Sequence, residues 1–64
     1  MSQTSLPEKI GRPATMALAG IGVTSLEQVA KMTEHELDHL HGVGPKAIGI
    51  LKEALAENNM SLAG

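Results

Sequence analysis

A chain of 64 residues makes one domain near the lower limit for folding alone, because a domain of this size buries only about 60% of the surface its unfolded form exposes. It holds no Phe, Tyr, Trp or Cys, which removes the aromatic platforms on which single-stranded nucleic acid is stacked, and with them any disulfide framework, thiolate metal site or thiol nucleophile. The formal net charge of −2 speaks against a strongly basic nucleic-acid binder, and the longest apolar run, residues 16–23, is far too short to span a membrane.

The first five residues, Met-Ser-Gln-Thr-Ser, are polar and are expected to be loose, with Leu6 and Pro7 the first to pack. Pro13 suits the first turn of a helix over 13–19, and Gly20 suits its stop. Thr24 with Glu27, and Thr33 with Glu36, have the spacing of capping boxes. They predict two short helices, over 25–31 and 34–40, which offer Leu26, Val29, Ala30, Leu37 and Leu40 to the core. The last helix, over 45–57, carries Ala47, Ile48, Leu51, Ala54 and Leu55 on one stripe and Lys46, Lys52, Glu53 and Glu57 on the other face, with Asn58 and Asn59 as terminators. Residues 61–64 are expected to fray. No segment alternates with period two, so the fold class is all-α: a compact bundle of four to five short helices, no sheet, with the domain over 6–60.

The densest signal lies between the last two helices, in Leu37-Asp38-His39-Leu40-His41-Gly42-Val43-Gly44-Pro45-Lys46. Gly42 tolerates the positive φ that ends a helix, Gly44 removes a side chain where backbone must come close to something, and Pro45 fits the first turn of the next helix. Val43 is the apolar pin. Free N–H groups around Gly44, Lys46 and Ala47, with the positive end of the helix dipole, make an anion site that reads phosphate without reading bases. The alternative for Gly42-Val43-Gly44 is a tight helix-to-helix turn with no ligand.

This pattern resembles the helix-hairpin-helix family of DNA-backbone-binding motifs. In register the chain is similar to the C-terminal domain of the bacterial RNA polymerase alpha subunit. That likeness runs from about Leu6 to Leu62, through Thr24-Ser25-Leu26-Glu27, Thr33 to Leu40, the Gly44 turn, Leu51-Lys52-Glu53-Ala54-Leu55 and Met60-Ser61-Leu62. The resemblance implies a paired helix-hairpin-helix fold and duplex DNA as partner; the lack of cysteine and of a visible secretory signal gives the separate expectation of a soluble, cytoplasmic chain. The minor-groove arginine and asparagine of that family align at about Pro13 and Met16, which cannot do that work. Contact with the phosphate backbone through Gly44, Lys46 and Ala47 is what the comparison retains.

An internal echo extends the expectation: Ile10-Gly11-Arg12-Pro13-Ala14 aligns with Val43-Gly44-Pro45-Lys46-Ala47 at an offset of 33. It puts Gly11 and Arg12, the only arginine, beside a second phosphate. The candidate DNA-phosphate residues are therefore Gly11, Arg12, Gly42, Val43, Gly44, Lys46 and Ala47. With about three phosphates neutralised, the log–log salt slope would be about −2.7. Acid is concentrated in the middle of the chain. Glu27, Glu34, Glu36 and Asp38 offer a second reading, a protein-interaction module with a transcription-related partner.

His35-Glu36-Leu37-Asp38-His39 satisfies the zinc-protease spacing, but the helix is about two turns long, Glu36 is claimed by its cap, and a third ligand and a cleft are missing. His35, His39 and His41 are read at most as an adventitious zinc or nickel trio, and His41 as a ring that caps the preceding helix. Met16, Met32 and Met60 read as gap-filling packing. No nucleophile and base are arranged for catalysis, so no enzyme activity, metal or cofactor is expected.

Overall fold

Residues 3–64 are described by a computed structural model, in which a 3₁₀ turn (Glu8–Ile10) leads into four helices: α1 (Gly11–Gly20), α2 (Leu26–Val29), α3 (Glu34–Asp38) and α4 (Pro45–Glu57). Among the described residues there is no strand or sheet, only an isolated antiparallel bridge between Ser5 and Ser25. The helical class is as expected from the pattern. The longest helix, α4, is the spine against which the 3₁₀ turn, α2 and α3 pack, and α1 joins through the same turn.

The core is built without a single aromatic ring. Ala14, Leu18, Val29, Leu37, Leu51 and Leu55 have no exposed surface, and Ile10, Val23, Leu26, Val43, Ala47 and Ile48 close the cluster. Each fully buried aliphatic side chain contributes about 1.5–3 kcal/mol. Met32 and Met60 pack against the rim as expected, whereas Met16 is exposed on α1. The stripe expected on α4 is buried at Ala47, Ile48, Leu51 and Leu55 and half-buried at Ala54.

Helix ends follow local chemistry: α2 and α3 each stop two residues before the expected end, and two caps differ from the sequence expectation. The Thr33–Glu36 box forms as read: Glu36 N–H donates to Thr33 Oγ1, and Thr33 N–H donates to Glu36 Oε1. The cap of α2 is displaced by one residue. Ser25, not Thr24, is its N-cap and accepts from Gln28 N–H, while Gln28 Oε1 accepts from Thr24 N–H at 2.8 Å. Glu27 is taken elsewhere, because its two oxygens accept the N–H of Thr4 at 2.7 Å and the Thr4 hydroxyl at 2.8 Å.

The second correction concerns α1, which ends through Gly22 rather than Gly20. Gly22 has φ +79, its N–H donates to Ala19 O, and Val23 N–H donates to Leu18 O. These are the paired bonds of a Schellman motif, closed by the buried Val23–Leu18 pair. The end of α4 repeats the motif, with Asn59 at φ 59 and Met60 N–H donating to Leu55 O.

The ends expected to be loose carry tertiary contacts. Thr4 O accepts from Leu26 N–H, Ser5 bridges Ser25, Ala63 N–H donates to Met32 O at 2.9 Å, and Leu62 packs against the core. A boundary at residue 6 or 60 therefore cuts through bonded segments; Met1 and Ser2 lie outside the described residues.

Candidate nucleic-acid interface

The α3–α4 hairpin is shaped by two glycines with different reasons to be glycine. Gly42 has φ +99, and a Cβ built on it would lie 3.0 Å from the carbonyl oxygen of Pro13. Both backbone conformation and close approach exclude a side chain there. Gly44 has φ −96 and ψ 177, an extended geometry open to any residue, and a Cβ at this position would meet nothing within 4 Å. No described residue accounts for glycine at 44, as none does at Gly20 or Gly49; what sets Gly44 apart is its place at the start of α4. Val43, buried at 5% exposure, pins the turn to the core as expected.

Gly44 is the N-cap of α4 and makes no side-chain cap, in contrast to Ser25 on α2 and Thr33 on α3. Its carbonyl accepts from Ile48 N–H at 3.0 Å, so the first turn presents the N–H groups of Lys46 and Ala47 without an intrahelical acceptor. Pro45 has no N–H to offer. The end of a thirteen-residue helix is thus left uncapped, exposed and electropositive, beside the Lys46 ammonium. Ala47 is itself buried, so only its backbone N–H can serve a ligand.

The contact between Gly42 and Pro13 brings the second glycine turn alongside the first. Gly11 sits at the junction of the 3₁₀ turn and α1 with φ +88, so its glycine is required by the backbone. The echo between the two turns holds in burial: Ile10 and Val43, Ala14 and Ala47, and Leu18 and Leu51 are all buried core pairs at the same offset. It fails in detail at the helix starts. Gly11 N–H is already bonded to Glu8 O, and Pro13 carries none, leaving Arg12 N–H and its exposed guanidinium as the donors there. The first turn offers fewer free backbone donors than the second.

Of the other three cations, Lys52 alone has an ion-pair partner among the described residues, and Lys31 lies just after α2. Lys52 Nζ pairs with Glu34 Oε1 at 2.8 Å, joining α4 to α3 in an exposed ion pair worth about 0–1 kcal/mol. Lys9 lines a groove with Glu8, Glu53 and Glu57. Arg12 and Lys46 are the cations that remain beside the adjoining glycine turns.

Much of the acid is also engaged internally. Glu27 is clamped by Thr4, and the Thr4 N–H first, then its hydroxyl, holds the Glu27 carboxyl below its ordinary value. Glu34 carries Lys52, and Glu36 caps Thr33. Of the four carboxylates that define the acidic alternative, Asp38 has no such bond among the described residues. His41 is exposed and makes no side-chain hydrogen bond among those residues. The capping role expected of it belongs to His39, whose Nδ1 donates to His35 O at 3.0 Å.

No helix among the described residues is long and apolar enough to cross a membrane. Compared with known proteins, the chain matches no family profile, no curated protein and no solved structure.

Proposed function

We propose that this chain is a small non-catalytic domain of the paired helix-hairpin-helix type, similar in arrangement to the RNA polymerase alpha C-terminal domain, that binds duplex DNA through backbone phosphates without sequence preference. The observation that carries the reading is Gly44. It is a glycine with ordinary φ, no neighbour at its Cβ position and no side-chain cap, at the exposed N-terminus of the longest helix. A phosphate oxygen approaching that end meets Lys46 N–H, Ala47 N–H and the Lys46 ammonium. Gly42 against Pro13 supports a second contact from Arg12 on the adjoining turn.

With Arg12 and Lys46 as the two cations assigned to the duplex, the expected salt slope is about −1.8. The same count goes with modest affinity and with the overall charge of −2. A cytoplasmic setting accompanies this reading. The acidic protein-interaction alternative, with a transcription-related partner, has less support because Glu27, Glu34 and Glu36 already have partners within the domain.

The direct test is fluorescence anisotropy of a labelled generic duplex, titrated with protein at several salt concentrations. The expected outcome is weak binding with a log–log slope near about −1.8, equal for two unrelated sequences. Absence of binding at low salt, or a slope near zero, would remove the DNA reading.

A further inference from the structure

One chemistry-bearing cluster has no part in phosphate contact: His35 on α3 and His39, the C-cap of that helix. They stand one helical turn apart on the solvent face opposite buried Leu37, with ring centroids 4.3 Å apart and a tilt of 52°. His39 Nδ1 lies 3.0 Å from the carbonyl oxygen of His35. A carbonyl only accepts, so Nδ1 carries the proton and the neutral ring keeps its lone pair on Nε2. This is how metal-bound histidines are commonly held, with the second ring N–H given to a backbone carbonyl to fix tautomer and orientation.

Asp38, between the two histidines in the chain, makes no side-chain bond among the described residues, whereas Glu34 and Glu36 are held by Lys52 and Thr33. Bonds of about 2.0–2.1 Å from one ion to two imidazoles require nitrogens about 3 Å apart, within reach of two exposed rings already in contact. Among the described residues no group of three or more His, Cys, Asp or Glu converges. That is too few protein ligands for a closed structural zinc site or a three-ligand catalytic one. Two imidazoles with the remaining positions left to water suit a borderline divalent ion such as Zn²⁺, Ni²⁺ or Cu²⁺.

We propose that His35 and His39 form a two-histidine chelate for an exchangeable divalent transition-metal ion, with His41 outside it. The ion would bridge the ends of a helix of only five residues, far too short to persist alone. The unfolded chain does not hold the two rings together, so binding stabilises the fold by mass action. This proposal does not depend on DNA binding.

The test is titration of the intact chain with Zn²⁺, followed by long-range ¹H–¹⁵N spectra of the imidazoles and by thermal unfolding. Before metal, His39 should show a protonated Nδ1 and a bare Nε2. Zn²⁺ should move the Nε2 signals of His35 and His39 together, with one apparent constant. Metal at 100 times its Kd should raise the folded-to-unfolded ratio about 100-fold. His35→Gln and His39→Gln should each weaken binding at least tenfold and abolish the thermal shift, while His41→Gln stays within twofold of the parent. A protonated Nε2 on His39, zinc shifts shared equally by His41, or undiminished binding in either glutamine variant would overturn the proposal. The imidazole spectra of the unsubstituted protein decide the matter even if a variant folds poorly.

Discussion

Replacing Gly44 by aspartate separates what the hairpin does for the fold from what it does for a ligand, because the two effects should have opposite signs. The φ of −96 and ψ of 177 at Gly44 are those of an N-cap, and the empty space at its Cβ position admits a side chain without strain. The carboxylate introduced by Gly44→Asp would accept from the N–H of Lys46 or Ala47, an improvement of a few tenths of a kcal/mol over a glycine cap. That exchange value already contains the attraction of the charge to the helix N-terminus and the loss of glycine freedom in the unfolded chain. With an unfolding entropy of about 2.1 cal/mol/K per residue, Tm should rise by roughly 2–4 °C for a domain of this size.

The same carboxylate occupies the donors a phosphate would need and repels it. Thermal circular dichroism and duplex anisotropy on Gly44→Asp should therefore report a more stable protein that has lost DNA binding. Gly44→Ser, which caps without charge, should stabilise less and weaken binding only in part. DNA affinity within twofold of the parent in the aspartate variant would refute the assignment of phosphate to this helix end. A fall in Tm would refute the N-cap geometry.

Further outcomes follow from other contacts. Gly42→Ala forces a side chain into a left-handed φ and against Pro13 O; the cost should be about 2–3 kcal/mol, a drop in Tm of about 15–20 °C. Arg12→Ala and Lys46→Ala should each reduce the salt slope of duplex binding by about 0.9 while leaving Tm within a few degrees. Glu27 has a folded-state pKa depressed by Thr4, so the clamp on the N-terminal segment is fully present above the ordinary carboxylate value and is lost as pH falls through the depressed one. Amide exchange at Thr4 and Leu26 should accelerate in that acid window, and Glu27→Gln should abolish the transition. Exchange at these amides that follows only the intrinsic base-catalysed rate would contradict the clamp.

The parts of the fold that were legible in the sequence are those whose partners are near in the chain. Thr33 and Glu36 form one unambiguous box, and α4 announces itself through Pro45, its apolar stripe and the asparagines that end it. The start of α2 reads one residue early in the sequence, at Thr24 with Glu27, where the structure uses Ser25 and Gln28. The choice is made 23 residues away, where Thr4 takes Glu27. The end of α1 reads at Gly20, whereas the left-handed residue is Gly22, whose turn lets Val23 N–H reach Leu18 O. The same limit applies to the candidate interface. The turn at Gly42-Val43-Gly44 can be read from three residues, but the contact of Gly42 with Pro13, the diversion of Lys52 to Glu34 and the bonding of Gly11 N–H are tertiary facts without a local signature.

The most direct test of the central claim is an NMR titration of ¹⁵N-labelled protein with a short generic duplex, first at low and then at raised salt. A phosphate-binding hairpin gives amide shifts confined to Gly11, Arg12 and the non-proline residues from Gly42 to Ala47, strongest at Lys46 and Ala47, that collapse as salt is raised. Shifts absent at low salt, or centred on α2 and the acidic flank of α3, would contradict it.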